Sequence, residues 1–196
     1  MDYVKIGNLI AKLRKERKLT QKNIADALNI SNKTVSKWEC GLGAPDISLW
    51  SDLSTILGVE IQQLMEGEIA LNPSNPGKMS RTQFFVCPNC QNVLTATGSA
   101  SNFCCGRKLE ALAVNEDNNR PTIYINESDA DLAITIEHPM SRSHYILFTA
   151  FVKDHRIILD RLYPEQEAHV RLPYMRSGTF YIYCTQHGLT AYKLKS

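Results

Sequence analysis

The 196-residue sequence lacks any apolar run long enough to cross a membrane as a helix. Its longest largely apolar stretch, Tyr145 to Val152, is far short of the roughly 20 residues a span requires. The N-terminal MDYVKIGNLIAKLRKERK alternates charge with apolar residues and has no continuous hydrophobic segment. It therefore does not read as a secretory signal, and a cytoplasmic, reducing compartment is the expectation. There is no histidine before residue 138, no lysine or arginine from 41 to 68, and no internal repeat or low-complexity segment. A Cys-x-x-Cys-His haem-attachment run is also missing. A hydrophobic content of 43% excludes wholesale disorder.

What is present is unevenly placed. Residues 1–40 carry nine Lys/Arg against four Asp/Glu, and residues 41–68 carry five acids. A basic block beside an acidic one suggests a face that meets phosphates and a face that does not. The first 66 residues read as short helices. Ile6, Ile10 and Leu13 repeat at helical spacing, with Lys12, Lys15 and Arg17 outward. Thr20 caps a second helix, Gln21 to Leu28, and Ser31 caps a third that ends near Glu39. Asp46 caps a fourth with Leu49, Trp50, Leu53 and Ile56 inward, and a short fifth runs from about Ile61 to Glu66. Residues 67–82, which include Asn72-Pro-Ser-Asn-Pro-Gly77, read as a linker.

From Phe84 onward the helical period disappears. Short β-type runs replace it at Thr122–Ile125, Leu132–Ile136, Tyr145–Val152, Ile157–Leu162, His169–Leu172, Thr179–Tyr183 and Ala191–Leu194. The expected architecture is therefore multidomain. An all-α five-helix DNA-binding domain (1–66) and the linker (67–82) precede a small four-cysteine metal module (83–110). An all-β, seven-stranded, immunoglobulin-like sandwich (111–196) follows.

The segment LTQKNIADALNISNKTVSKWECG places two short helices around a tight turn. Small polar and basic residues lie at the start of the second helix. Ser31, Asn32, Lys33 and Thr34, with Ser36 and Lys37 one turn on, are the candidates for reading base edges in a major groove. Gln21, at the start of the preceding helix, is the candidate for a backbone phosphate. Val35 and Trp38 point inward. With Ile6-Gly7, Leu13-Arg14-Lys15-Glu16, Leu19-Thr20-Gln21, Ile24-Ala25, Leu28, Ile30-Ser31, Thr34-Val35-Ser36-Lys37-Trp38-Glu39 and Pro45-Asp46, residues 3–66 resemble the phage-repressor and xenobiotic-response-element helix-turn-helix family. The resemblance implies a structural Arg14–Glu39 ion pair, a homodimer, and a two-fold double-stranded DNA operator with half-sites about one helical turn apart.

Cys87-Pro-Asn-Cys90 and Cys104-Cys105-Gly106 give the spacing C-x2-C-x13-C-C. Four thiolates supplied by two loops can surround one tetrahedral zinc or iron ion, whereas adjacent cysteines make poor disulfide partners. VCPNCQNVL and FCCGRKLEAL are similar to the desulforedoxin module, which implies an Fe(SCys)4 centre at Cys87, Cys90, Cys104 and Cys105. Further on, His138 and His144 lie six apart, and Cys184 and His187 three apart, spacings that can converge on one ion. His155 and His169 are assigned no role, and Cys40 reads as a helix-end residue.

IEHPMSRSHYILF, LYPEQEAHVRLP and GTFYIYCTQHGLTAY resemble the catalytic domain of the desulfoferrodoxins, the superoxide reductases. The resemblance implies iron held by His138, His144, His187 and an axial Cys184. It also expects a further histidine in a Glu-Lys-His-x-Pro run. Here that stretch is Glu116-Asp117-Asn118-Asn119-Arg120-Pro121, with Asn119 at the ligand position and Arg120 supplying positive charge. An imidazole donates to iron better than a carboxamide, so superoxide reductase activity does not simply carry over. Three functions follow as expectations. The first is a transcriptional regulator sensing redox state or metal, and the second a superoxide reductase with an accessory DNA-binding domain. The third is a zinc-stapled dimerisation module.

Overall fold

A computed structural model describes residues 2–74, 79–115, 120–128, 131–174 and 177–195. Two compact units result, Met1–Leu71 and Asn72–Ser196. Among the described residues the first unit has five α-helices: α1 (Tyr3–Glu16), α2 (Gln21–Ala27), α3 (Asn32–Glu39), α4 (Trp50–Leu57) and α5 (Ile61–Glu66).

Each start has a local cause. Asp2 accepts from the amides of Val4 and Lys5, Thr20 and Asn23 form a reciprocal capping box, and Ser31 accepts from the Thr34 amide. Two boundaries differ from the sequence reading. Leu28 is the C-cap of α2 rather than its last residue, and Asp46 caps a 3-10 turn, Ile47–Leu49, that leads into α4. Gly58 and Gly67 end α4 and α5 in the left-handed conformation. The helices enclose one core of Ile6, Ile10, Leu13, Ile24, Val35, Trp38, Trp50, Leu53, Leu57 and Leu64. Gly7 allows α1 to approach α3, because a Cβ there would lie 2.1 Å from the Trp38 carbonyl oxygen.

The Arg14–Glu39 pair ties the end of α1 to the end of α3. Arg14 Nε donates to Glu39 Oε1 at 2.6 Å, Nη2 to Oε2 at 3.0 Å, and Nη1 to the Leu19 carbonyl at 2.9 Å. Both side chains are largely buried, at 13% and 8% exposure.

In the second unit, two hairpins come first: β1 (Gln83–Val86) with β2 (Val93–Ala96), then β3 (Asn102–Cys104) with β4 (Arg107–Leu109). Seven longer strands follow, over the alternating runs of the sequence: β5 (Thr122–Glu127), β6 (Asp131–Glu137), β7 (Ile146–Lys153), β8 (Arg156–Arg161), β9 (His169–Pro173), β10 (Ser177–Cys184) and β11 (Gly188–Lys195). They form a three-stranded sheet, β5-β6-β9, and a four-stranded sheet, β11-β10-β7-β8. Residues of both sheets share one core, among them Ile134, Val170, Phe151, Phe180 and Ile182.

β1 lies against the other face of the four-stranded sheet. Successive strand side chains alternate faces, so Phe84 packs on Phe148 and Tyr181 while Phe85 joins Cys87 and Leu109 in a small core of its own. This double cover explains why β7 is buried at seven consecutive positions, Ile146 to Val152.

Burial opposes the charge of Glu39, but hydrogen bonds from Arg14 and Gln21 and the nearby guanidinium outweigh it and hold the carboxyl below its ordinary 4.5. Its contribution to stability is therefore complete above that pH and is lost as pH falls through the lower native value. Glu39→Ala, which strands the guanidinium, should cost about 3 kcal/mol in urea unfolding at pH 7. A loss under about 0.5 kcal/mol would show the pair to be ornamental.

Candidate functional site

The two loops of the four-cysteine group are built by their hairpins. Cys87 follows β1, its amide donates to the Asn92 carbonyl at 2.9 Å, and the Gln91 amide donates to the Cys87 carbonyl at 2.8 Å. Gln91 is left-handed at φ 57°, which turns the chain back into β2. In the second hairpin Cys104 pairs with Arg107, leaving Cys105-Gly106 as a two-residue connection with φ 51° and 72°. Positive φ at both central residues is the type I′ condition, and the glycine meets half of it without strain.

The four Sγ atoms lie within 4.8 Å of one another, with Cys90–Cys104 at 3.5 Å and Cys104–Cys105 at 4.0 Å. Sulfurs on one tetrahedral ion with bonds of about 2.3 Å sit about 3.8 Å apart, so the donor set fits such an ion. Its electrostatics agree. The Cys90 backbone N–H, helped by that of Asn89 and opposed by burial, pulls the Cys87 thiol down to about 6. The thiols of Cys90, Cys87 and Cys104 push Cys105 up to about 12, and Cys104 is raised by Cys90 and Cys87. A cation among them would offset the repulsion between four thiolates this close.

The second group assembles at one end of the two large sheets. His138 follows β6, His144 lies two residues before β7, Cys184 ends β10, and His187 closes the turn into β11. Their ligand atoms lie within 4.8 Å of one another, and His144 Nε2 is 3.4 Å from His187 Nδ1. The three rings stand nearly perpendicular in pairs, at 81°, 84° and 82°. Cys184 is 1% exposed and its Sγ accepts from the Gln186 amide at 3.3 Å.

Both ring nitrogens of His138 are shielded from solvent and meet no partner in hydrogen-bond geometry. Burial first, then the neighbouring His144 and His187, hold His138 down at about 4, with only a weak opposing influence from the Pro139 backbone. A half-buried imidazole whose two shielded nitrogens lack partners, beside two imidazoles and a thiol, is the donor chemistry of a metal site.

The ligand loops are held from outside. Ser141 and His144 exchange backbone hydrogen bonds, at 3.0 and 3.2 Å, and the Glu165 amide donates to the Met140 carbonyl at 2.6 Å. Asn115, which the sequence reading missed, donates from Nδ2 to the His187 carbonyl at 2.6 Å and from its amide to the Leu189 carbonyl at 2.7 Å. No local signal marks Asn115, since its partners are more than seventy residues away. Arg120 Nη1 donates to the Ala191 carbonyl at 3.4 Å. Asn118 and Asn119 lie outside the described residues. His155 is in the β7–β8 turn, and His169 Nδ1 is 3.2 Å from Thr135 Oγ1. Cys40 is the exposed C-cap of α3.

On α3, Val35 and Trp38 face the core. Ser31, Asn32, Lys33 and Lys37 are exposed, and Thr34 and Ser36 are half-buried. Ser31 Oγ is 2.8 Å from Thr34 Oγ1. Gln21 is placed differently from these: its Nε2 donates to Glu39 Oε2 at 2.8 Å, inside the Arg14–Glu39 network.

The helix-turn-helix family HTH_3 matches residues 10–64. The N-terminal unit carries an HTH_3 domain. An uncharacterized HTH-type transcriptional regulator, YqaE of Bacillus subtilis, is 39% identical over 59 residues, 30% of this chain and 51% of that protein. This chain thus spans about half the length of that regulator. Beyond the HTH_3 domain, a desulfoferrodoxin of Clostridium acetobutylicum is 28% identical over 104 residues, 50% of this chain and 83% of that protein. The superoxide reductase structure from Treponema pallidum superposes with a TM-score of 0.50 at 19% identity, over 57% of this chain and 97% of that one. The C-terminal region accordingly has a β-rich, superoxide-reductase-like fold. No helix among the described residues is long and apolar enough to cross a membrane.

In metal-free protein, the His138 ring resonances should stay in their neutral positions down to pH 5 and move near pH 4. Because an unfolded histidine titrates near 6.5, the unfolded chain binds more protons between those values, and metal-free stability should fall as pH drops from about 6.5 to 4. Titration near 6.5 in the folded state would contradict the shielding of its ring nitrogens.

Proposed function

We propose that the chain is a DNA-binding transcriptional regulator whose C-terminal unit holds two metal ions and reports redox state or metal supply. The observation that carries this reading is the convergence of His138, His144, Cys184 and His187, with both His138 nitrogens orphaned, in a chain that also carries an HTH_3 domain. The likeness to desulfoferrodoxin supports iron at both sets, Fe(SCys)4 at Cys87, Cys90, Cys104 and Cys105 and a His3Cys iron at the other. Zinc suits the same donors.

When bound, iron at the His3Cys set supplies one-electron redox chemistry. The chain's own part is to orient the three imidazoles, to spread the Cys184 thiolate charge onto the Gln186 amide, and to hold both ligand turns through Asn115 and the Ser141–His144 pairing. The finer domain reading goes with it: a DNA-binding domain at 1–66, a linker at 67–82, a four-cysteine module at 83–110 and an immunoglobulin-like sandwich at 111–196.

The exposed start of α3 is the DNA-reading face, with Ser31, Asn32, Lys33, Thr34, Ser36 and Lys37 as its residues. Gln21 reaches phosphate only with the part of its amide that Glu39 leaves free. The partner is a two-fold operator bound by a homodimer in the cytoplasm.

An enzymatic reading, superoxide reduction at the same His3Cys set, is favoured by the C-terminal likeness. It requires the reduced, iron-loaded protein to consume superoxide in a second-order reaction, and lack of consumption removes it.

Operator affinity, on a duplex selected from a random pool, should differ at least about tenfold between reduced, superoxide-oxidised and metal-free protein, within the usual range of coupling between sites. Equal affinity in the three states contradicts the sensor. Lys33→Ala and Asn32→Ala should each weaken binding to the selected duplex and relax specificity at one base position.

A further inference from the structure

The two ligand sets share a hydrogen-bonded connection that the metal chemistry itself does not require. Gln91 directly follows the ligand Cys90, and its amide closes the Cys87–Cys90 loop. Its side-chain oxygen accepts from Tyr145 Oη at 2.6 Å, and its backbone carbonyl accepts from Arg161 Nη1 at 2.9 Å. Tyr145 is only 6% exposed and directly follows the ligand His144. The Tyr145 backbone is in turn paired with Thr185, which directly follows the ligand Cys184. The Tyr145 amide donates to Thr185 Oγ1 at 3.2 Å, and its carbonyl accepts from the Thr185 amide at 3.0 Å. One ligand of the four-cysteine set and two of the His3Cys set thus each stand one peptide bond from a single trio, Gln91, Tyr145 and Thr185.

We infer that Gln91 and Tyr145 couple the two sets, so that filling the four-cysteine set tightens the His3Cys set for its metal, and the reverse. The inference rests on the reading that both sets hold metal ions. Its physical content is the conformation of Gln91. The carboxamide meets Tyr145 from a left-handed backbone, at φ 57°, that the closed Cys87–Cys90 loop imposes. An ion among the four sulfurs would tie the Cys87–Cys90 loop to the Cys104-Cys105 turn, whereas without one only the loop's own two backbone hydrogen bonds hold Gln91 in place. Once Gln91 leaves, the buried Tyr145 hydroxyl loses its acceptor, and a buried unpaired donor drives rearrangement. The residue that rearranges is bonded to His144 and paired with the neighbour of Cys184. Coupling of this kind is reciprocal between the two binding equilibria. Tyr145 and Gln91 are positioning residues, since neither offers an atom to an ion.

The test uses the full chain and Co(II), competed against a chelator, with the His3Cys set followed by its own thiolate–imidazole spectrum. Cys90→Ser combined with Cys104→Ser disables the four-cysteine set. This change should weaken Co(II) binding at the His3Cys set by about tenfold, the scale of one buried hydrogen bond. Tyr145→Phe, which keeps the ring and removes one hydroxyl, should weaken it equally in the otherwise native chain. Added to the cysteine variant, it should weaken binding no further.

Gln91→Asn is the second variant. Asn accepts a positive φ and falls short of Tyr145, so the same pattern is expected. Loading Zn(II) into the four-cysteine set should shift the Co(II) spectrum of the other set in the native chain and not in Tyr145→Phe. Equal affinities in native and Tyr145→Phe protein, or effects of Tyr145→Phe and the cysteine changes that simply add, overturn the coupling and leave the metal reading standing. Absence of Co(II) binding to the native chain at either set overturns both.

Discussion

The antiparallel pairing of β7 with β10 is the constraint on which the C-terminal unit depends. It runs from Thr179 opposite Val152 to Cys184 opposite Ile146, so the end of β10 and the start of β7 lie side by side. The Tyr145–Thr185 hydrogen bonds extend that alignment past the strand ends and bring Cys184 and His144 together. The register shifts between Tyr183 and Cys184, an irregularity of the kind that re-aims a strand's last side chain. His138 arrives from the other sheet, because β6 shares its core with β7 and β10. A ligand set drawn from two sheets is only as firm as their common core. Here that core includes Ile134, Phe151, Phe180 and Ile182, all fully buried.

The same logic operates on a smaller scale at the cysteines. One hairpin of four-residue strands and one of three-residue strands bury too little apolar surface to stand alone. Phe84 anchors the first to the four-stranded sheet, while Phe85, Cys87 and Leu109 make a core of a few side chains. What then sets the spacing of the sulfurs is backbone geometry, the left-handed Gln91 and the Cys105-Gly106 turn. Backbone amides pull the Cys87 thiol down to about 6 and the neighbouring thiols push Cys105 up to about 12, so the four sulfurs sit close enough to act strongly on one another. At the second set His138 offers two ring nitrogens without hydrogen-bond partners.

Much of this was legible from residue identities, and the division is physical. Helix starts are local events, so Thr20, Ser31 and Asp46 could be read as caps; what the sequence reading did not separate was a 3-10 turn after Asp46 from the α-helix behind it. Ligand types at short spacing are local as well, which is why both groups of four could be named, and the strand runs followed from alternation. Gln91, Tyr145, Thr185 and Asn115 were invisible because their roles arise from contacts across 40 to 74 residues, made by ordinary side chains. Gln21 stands at a helix start, the place of a phosphate contact, and its hydrogen bond to Glu39, eighteen residues away, is likewise not marked by any local signal. The Asn119 substitution, legible at once in the sequence, lies where the structure describes nothing.

The central claim is that the chain gathers two separate sets of metal donors, one of four sulfurs and one of three nitrogens and a sulfur. Anaerobic purification followed by elemental analysis and X-ray absorption at the metal edge tests it most directly. Two equivalents of metal per chain are expected, with one centre surrounded by sulfur alone and the other by mostly nitrogen and a single sulfur. Cys90→Ser with Cys104→Ser should remove only the first centre. Native protein that holds no metal, or a single centre of mixed donors, would contradict it.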